Sequence, residues 1–210
     1  MRRHRYLALV ALSAALLQGC VALIGAGGAA AVSSLEDRRT TGTQLDDQGI
    51  ESRAQSRIGE RFGERAHVNV TAYNRMVLLT GEAWDEATRA EIEKLAAAVP
   101  NVRGVTNEIQ VAGASSAASR ANDTTITGRV KARFLGVKEF NSLHVKVVTE
   151  AGVVYLLGLV TEREAEAATE LARTTSGVRK VVKVFEYCKS TDELCRPAPP
   201  PADKPRPPRA

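Results

Sequence analysis

The chain of 210 residues is long enough for one or two small domains, and its composition is that of a globular protein. Hydrophobic residues make up 44% and charged residues 25%, which excludes a wholly disordered chain and a protein with several membrane spans. The formal net charge of +5 includes the arginines of the first five residues, and aromatic residues are only 4%. We therefore expect no nucleic-acid partner, which would need a strong basic stripe and usually aromatic platforms.

An export signal opens the chain. Its first residues are basic and an apolar run follows up to Leu17, a run shorter than the roughly 20 residues that a membrane-spanning helix needs. Residues 17–20 then resemble a bacterial lipobox, although Gln18 stands where small or aliphatic residues are commoner. We predict a signal peptide over residues 1–19 and lipidation of Cys20. The alternative is an ordinary secreted protein that is cleaved nearby.

The residues after Cys20 predict a tether. They are rich in glycine and alanine, and we assign residues 20–45 to a lipidated N-terminus and a flexible tether. In many proteobacterial lipoproteins an aspartate after the acylated cysteine favours retention in the inner membrane. Val21 occupies that place here. We therefore expect a lipid-anchored protein of the outer membrane that faces the periplasm.

Two copies of one pattern follow, at an offset of about 76 residues. Four separated blocks correspond in the same order: 50–58 with 126–134, 68–71 with 145–148, 76–81 with 153–158, and 102–105 with 178–181. A near-constant offset over four blocks indicates a duplicated domain. We place the first domain at 46–111, a small polar linker at 112–121 and the second domain at 122–187.

Each copy is predicted to be helix, strand, strand, helix, strand. Apolar residues recur every fourth position in the first helix (Ile50, Ala54 and Ile58; Ile126, Val130 and Phe134), which predicts a stripe packed on a sheet. Alternating strands with turns at 74–75 and 151–152 predict two hairpins, and third strands are expected at 107–111 and 181–187. Asp85 and Thr161 are the predicted caps of the second helices.

The resulting fold class is α+β, with two tandem modules that each pack a small three-stranded sheet on two helices. At about 60 residues each, such modules are marginally stable alone, so we expect the two copies to stabilise each other by packing.

These motifs resemble BON domains. The resemblance is carried by the glycines that end the second strands (Gly81 and Gly158) and by residues 42–47, 69–73, 158–165 and 176–178. Together with residues 17–22, these segments make the chain similar to the outer-membrane lipoproteins that have two BON domains. The similarity extends to about Tyr187. The resemblance implies binding of anionic phospholipid through the first helix of the second domain. It also implies a contribution to outer-membrane integrity, enrichment at division sites and an influence on cell-wall amidase activation.

The first helix of the second copy carries the predicted phospholipid site. Its cations have a single nearby acid, Glu139, whereas acids balance or outweigh the arginines in the first copy. A basic helix suits an anionic membrane surface, and a leucine roughly opposite the buried stripe is placed to touch acyl chains. The family pattern has tryptophan where this chain has Thr125. The predicted site comprises Thr125, Arg129, Lys131, Arg133 and Leu135. The alternative is a merely solvated basic face.

Catalytic chemistry is not expected. His67 and His144 occupy matching places just before the first strand of each copy, and we interpret both as surface residues at a structural corner. No further metal ligands accompany them in the sequence, and neither serine nor cysteine has a plausible base. We predict no enzyme activity, no cofactor and no metal site.

The end of the chain, residues 188–210, contains two cysteines and a proline-rich tail. Cys188 and Cys195 are predicted to close a short loop as a disulfide in an oxidising periplasm, with two independent thiols or an incomplete metal pair as the alternatives.

Two functions stay open at this point. In the first, the second domain binds anionic phospholipid and the first contacts protein, in support of outer-membrane integrity and division-site remodelling. In the alternative, the chain is an adaptor for an envelope assembly or peptidoglycan-remodelling complex, and the acyl anchor alone supplies membrane contact. Cell-wall amidase activators and outer-membrane assembly machinery are the protein partners considered.

Overall fold

The computed structural model describes residues 37–192 and 195, so the predicted signal peptide, Cys20 and the proline-rich tail lie outside the described residues. Domain 1 comprises α1 (Thr41–Phe62), a 3₁₀ turn (Gly63–Arg65), β1 (Ala66–Tyr73), β2 (Met76–Ala83), α2 (Glu86–Ala97), β3 (Gly104–Asn107) and β4 (Gln110–Val111). Domain 2 comprises α3 (Ala117–Leu135), a 3₁₀ turn (Ser142–His144), β5 (Val145–Glu150), β6 (Val153–Val160), α4 (Glu162–Arg173) and β7 (Lys180–Tyr187). The predicted α+β fold of two tandem modules is confirmed.

Both long helices begin earlier than the sequence suggested. The Thr40 side chain accepts a hydrogen bond from the Thr43 backbone N–H, and the Ser116 side chain accepts one from the Ser119 N–H. These N-caps satisfy backbone donors that would otherwise lack a partner. Because of them, α1 begins inside the segment assigned to the tether and α3 begins inside the segment assigned to the linker.

The third strand of domain 1 differs from the prediction of one strand over 107–111. Strand β3 pairs in parallel with residues 76–79 of β2, and the two-residue β4 pairs with residues 82–83. Between them the Asn107 side chain accepts a hydrogen bond from the Ile109 backbone N–H at 3.2 Å, which turns the chain. In domain 2, β7 runs unbroken beside residues 153–160 of β6.

The two predicted hairpin turns are confirmed, and each is held by a buried carboxylate. Residues 74, 75, 151 and 152 all have positive φ values, between 48° and 73°. Asp47 accepts the backbone N–H groups of Asn74 and Arg75 at 2.8 and 2.6 Å. Asp123 accepts those of Ala151 and Gly152 at 2.9 and 2.8 Å. These charge-assisted hydrogen bonds offset the strain of left-handed backbone at non-glycine residues.

The two domains pack against each other through their sheets. Each domain has its own core between helices and sheet, and a separate apolar cluster contains Tyr73 and Leu78 of domain 1 with Tyr155 and Leu157 of domain 2. Polar contacts flank this cluster, among them Lys146 Nζ to Glu51 Oε1 at 2.8 Å. The mutual packing expected from the small size of the copies is therefore present.

Candidate functional site

The outward face of α3 displays all five residues of the predicted phospholipid site. Each is exposed, and Leu135 is the most exposed large apolar residue of the described chain, at 76%. Thr125 donates its hydroxyl to the Ala121 carbonyl of its own helix at 3.0 Å. The stripe of α3 that faces the domain core is fully buried, so the exposed residues are free of any role in the apolar core.

Two of the predicted site residues also bind the neighbouring segment, Arg133 at the end of helix α4 and Arg129 in the turn after it. Arg133 Nη1 donates to the Leu171 carbonyl at 2.8 Å and to the hydroxyl of Thr175 at 3.0 Å. Arg129 Nη1 donates to the Ser176 carbonyl at 3.4 Å. Cations stabilise the C-terminus of a helix, where carbonyls lack partners and the helix dipole is negative. Arg129 and Arg133 therefore support the fold, which charge patterning alone had not predicted.

Domain 1 repeats the helix-end contact of Arg133. Arg57 Nη1 donates to the Ala98 carbonyl at the end of α2, at 3.3 Å. By contrast, domain 1 has Gln55 and Gly59 at the positions that match Lys131 and Leu135. On α3 an exposed cation and an exposed leucine thus stand where the counterpart helix α1 has neither.

The connection after α3 is a second difference between the domains. It covers residues 136–144, whereas three residues join α1 to β1 in domain 1. Phe140 anchors it, with its ring edge-on to Phe134 at a centroid distance of 5.1 Å. Leu143 in the 3₁₀ turn is 45% exposed. Sequence reasoning missed this segment, although residues without a counterpart in the other copy were a usable signal.

The residues before α1 contact both domains. Arg38 donates Nη1 and Nη2 to the two oxygens of Glu164 at 2.7 and 2.9 Å, and Nη1 also reaches the Leu159 carbonyl at 2.8 Å. Burial alone would raise the pKa of Glu164, but the Arg38 guanidinium and the N-cap Thr161 hold it below its ordinary value. Arg39 instead binds domain 1, where it pairs with Asp47 at 2.8 Å.

Neither histidine is the surface residue that the sequence suggested. The His144 side chain is 14% exposed, and its Nδ1 lies 3.9 Å from Glu164 Oε1. His67 pairs in register with Glu82 on β2, and its Nε2 is buried. Both histidines are half-buried: β1 begins at Ala66 and so includes His67, and His144 is the last residue of the 3₁₀ turn that leads into β5.

A buried polar group lies between the domains near His67. Glu150 and Glu82 are each only 6% exposed, and Asn69 Nδ2 donates to Glu150 Oε2 at 2.9 Å. Burial raises the pKa of the Glu150 carboxyl; the Asn69 hydrogen bond opposes this, and the charge of Glu82 adds to it. Tyr155 lies at the same interface, where burial and Glu108 raise its pKa to about 12. The raised pKa of Glu150 predicts that the stability of this interface depends on pH.

Domain 1 exposes an aromatic residue at the end of β2. Trp84 is 66% exposed and precedes Asp85, which caps α2 by accepting the Thr88 N–H at 2.6 Å. Hydrogen bonds from the backbone N–H and from the side chain of Thr88 lower the pKa of the Asp85 carboxyl. Beside them lies an open cavity of about 390 Å³ whose lining includes Arg61, Phe62 and Arg65. Trp84 was not among the predicted site residues.

Cys188 and Cys195 are joined by a disulfide, with their Cα atoms 6.2 Å apart. The Cys188 backbone N–H continues the β7 pairing by donating to the Val160 carbonyl at 3.0 Å, and Cys195 is 1% exposed. The disulfide therefore fastens the chain after β7 to domain 2.

Residues 37–192 and 195 lack two features that would point to other functions. No helix there is both long and apolar enough to cross a bilayer. In the same part of the chain, no three metal-ligating side chains of histidine, cysteine, aspartate or glutamate come together.

Comparison with known proteins gives consistent matches. The sequence pattern of the BON domain matches residues 46–113 and 122–189. The chain is 38% identical over 173 residues to the outer membrane lipoprotein DolP of Haemophilus influenzae, covering 81% of this chain and 90% of that protein. It is 37% identical over 153 residues to the 21 kDa hemolysin of Actinobacillus pleuropneumoniae, covering 72% and 79%. It is 28% identical over 144 residues to osmotically-inducible protein Y of Escherichia coli, covering 67% and 72%.

Proposed function

Since the chain belongs to the family of outer-membrane lipoproteins with two BON domains, we propose that it is acylated at Cys20 and binds anionic phospholipid through α3 of domain 2. The observation that carries the proposal is the pair Lys131 and Leu135, both exposed on α3 and replaced by Gln55 and Gly59 in domain 1. A cation and a large apolar side chain on one helix face match the headgroup and acyl layers of a membrane surface.

The expected energies favour a weak contact that the anchor reinforces. Each cation near an anionic surface contributes about 1 kcal/mol, and a fully inserted leucine contributes about 1.5–3 kcal/mol. Arg129 and Arg133 add charge to the surface, but their hydrogen bonds to α4 limit how closely they approach a headgroup. Acylation at Cys20 would hold domain 2 beside the bilayer, which turns this contact into an intramolecular one.

The proposed role is contact and not turnover. Domain 2 faces the periplasmic surface of the outer membrane, and domain 1 is left to contact protein. Through these contacts the protein supports outer-membrane integrity and envelope remodelling at division sites, with cell-wall amidase activators or outer-membrane assembly machinery as partners.

Trp84 favours a second candidate, an adaptor that binds an envelope protein through domain 1. Exposed tryptophans with arginines nearby are typical of the residues that dominate protein interfaces. In that case Trp84→Ala abolishes capture of the partner by photo-crosslinking in cells, and vesicle binding by α3 is absent.

Vesicle co-sedimentation tests the phospholipid proposal. The mature chain with Cys20→Ser carries no acyl group, so its binding reports the folded domains alone. We expect it to bind vesicles that contain cardiolipin and not vesicles of phosphatidylcholine, with weaker binding at high salt. Lys131→Glu/Leu135→Asp should weaken binding about 100-fold, because one charge is reversed and one apolar anchor is lost.

The repeat provides a matched control. Gln55→Glu/Gly59→Asp places the same acidic residues on α1, and Gly59 has open space where a side chain would be added. This variant should bind vesicles within a few-fold of the parent chain. Equal binding by the domain 2 variant and the parent chain would reject the phospholipid site.

A further inference from the structure

Domain 2 presents an apolar side chain on a segment that domain 1 lacks. The connection 136–144 is ordered by the packing of Phe140 on Phe134 and by the Asn141 side chain, which accepts the Leu143 backbone N–H at 3.0 Å. Phe140 is 6% exposed and fills the core, whereas Leu143 is 45% exposed. The fold therefore fixes this connection through Phe140 and leaves Leu143 at the surface, available for an apolar partner.

The chain coming from Cys20 joins the protein at the same end of domain 2. Arg38 forms a bidentate ion pair with Glu164, and their side chains are only 6% and 13% exposed. His144, the neighbour of Leu143 in the 3₁₀ turn, lies 3.9 Å from the same Glu164. The entry point of the chain is therefore beside the connection that carries Leu143, and not at the far side of domain 1.

We propose that the connection 136–144 is a second membrane contact of domain 2, in which Leu143 inserts into the bilayer that holds the acyl group, and that Arg38 positions this contact through Glu164. The inference rests on the proposed function and adds a contact outside α3. Bidentate pairing fixes orientation as well as position, so Arg38 defines which end of domain 2 meets the membrane.

The length of chain between Cys20 and Arg38 limits how far domain 2 can lie from a bilayer that holds the acyl group, which favours the bilayer as the occupant. Cys20 and Arg38 are 18 positions apart, and a chain of that length spans at most about 60 Å. Lys138 in the same connection is exposed and can meet an anionic headgroup, although the neighbouring Glu139 is exposed too and leaves the connection without net charge. The apolar side chain of Leu143 beside Lys138 fits a lipid surface, and acylation at Cys20 would keep such a surface within reach of Arg38.

Tryptophan reporters test the contact in the acylated full-length mature protein. In a Trp84→Phe background, which removes the native tryptophan, Leu143→Trp and Leu135→Trp are reconstituted separately into cardiolipin-containing vesicles with brominated acyl chains. We expect quenching and a blue shift of emission for both. Quenching at position 135 without quenching at 143 overturns this inference and leaves the proposed function standing. Absence of quenching at both positions overturns both.

A double-mutant comparison tests Arg38 as the positioning residue. Arg38→Gln should reduce the quenching of Leu143→Trp in the acylated protein, whereas in a Cys20→Ser background the same change should leave the quenching as it was. That dependence on the anchor would not arise from a loss of folding. An equal loss with and without the acyl group, or no loss in either, refutes the positioning role. Thermal unfolding of each variant identifies any that are not folded at the assay temperature.

Discussion

We expect the substitution Leu78→Ala in domain 1 to uncouple the unfolding of the two domains. Leu78 is fully buried in the apolar cluster between the sheets, beside Tyr155 and Leu157 of domain 2. Truncation of a buried leucine to alanine costs about 2–5 kcal/mol, through lost burial and the cavity that remains. A domain of this size has an unfolding free energy of about 4–10 kcal/mol, so Leu78→Ala removes a large part of what couples the domains.

The single tryptophan makes the uncoupling measurable. Trp84 fluorescence reports on domain 1, while far-ultraviolet circular dichroism reports on the helices of both domains. In urea, the parent chain should give coincident transitions by the two probes, and Leu78→Ala should give an earlier fluorescence transition. Leu135→Ala is the control, and it should change stability by less than about 0.5 kcal/mol because the side chain is exposed. Coincident transitions in Leu78→Ala, with a loss below about 1 kcal/mol, would refute the coupling through this cluster.

Three further predictions concern two polar contacts and the disulfide. Arg133→Ala should lower the unfolding free energy by about 1–3 kcal/mol in urea denaturation, because the end of α4 loses a charged donor; unchanged stability would contradict its role in the fold. Glu150→Gln should remove a dependence of stability on pH. Because burial raises the pKa of Glu150, the folded state binds this proton more tightly than the unfolded state does. The stability of the parent chain should therefore fall as pH rises from the ordinary carboxyl pKa through the raised one. The variant should be more stable than the parent chain at pH 7, and an unaltered slope of melting temperature against pH would argue against the assignment. Cys188→Ser/Cys195→Ser should lower stability by about 2 kcal/mol through loss of a short covalent loop, and a reducing agent should affect only the parent chain.

The fold was predictable where the signal is local. The stripe of Ile126, Val130 and Phe134 and the hairpin turns each depend on neighbours within a few positions, and the duplication let each copy support the interpretation of the other. The early start of α3 was missed because the small residues after Ser116 have weak apolar periodicity, although Ser116 itself is a good cap.

The site was predictable only in part, because a charged residue gives no sign of its partner. Arg133 was recognised as a cation on α3, but its bonds to α4 join positions 38 to 42 residues apart. The contact of Arg38 with Glu164 spans 126 residues. Asp47 and Asp123 were not singled out in the sequence, and their role became evident only where the hairpin turns place backbone donors against them. Their recurrence at the repeat offset was the one clue in the sequence.

The packing of sheet on sheet limits where this protein can meet other molecules. Helices cover one side of each sheet, and the neighbouring module covers apolar residues on the other. An incoming strand or flat ligand consequently finds no open pleated surface at Tyr73 or Tyr155. Among the described residues, the outer surfaces of helices and the edges and ends of the sheets are left for recognition. Substitutions there can change the partner of such a duplicated protein without disturbing the buried contact between its domains.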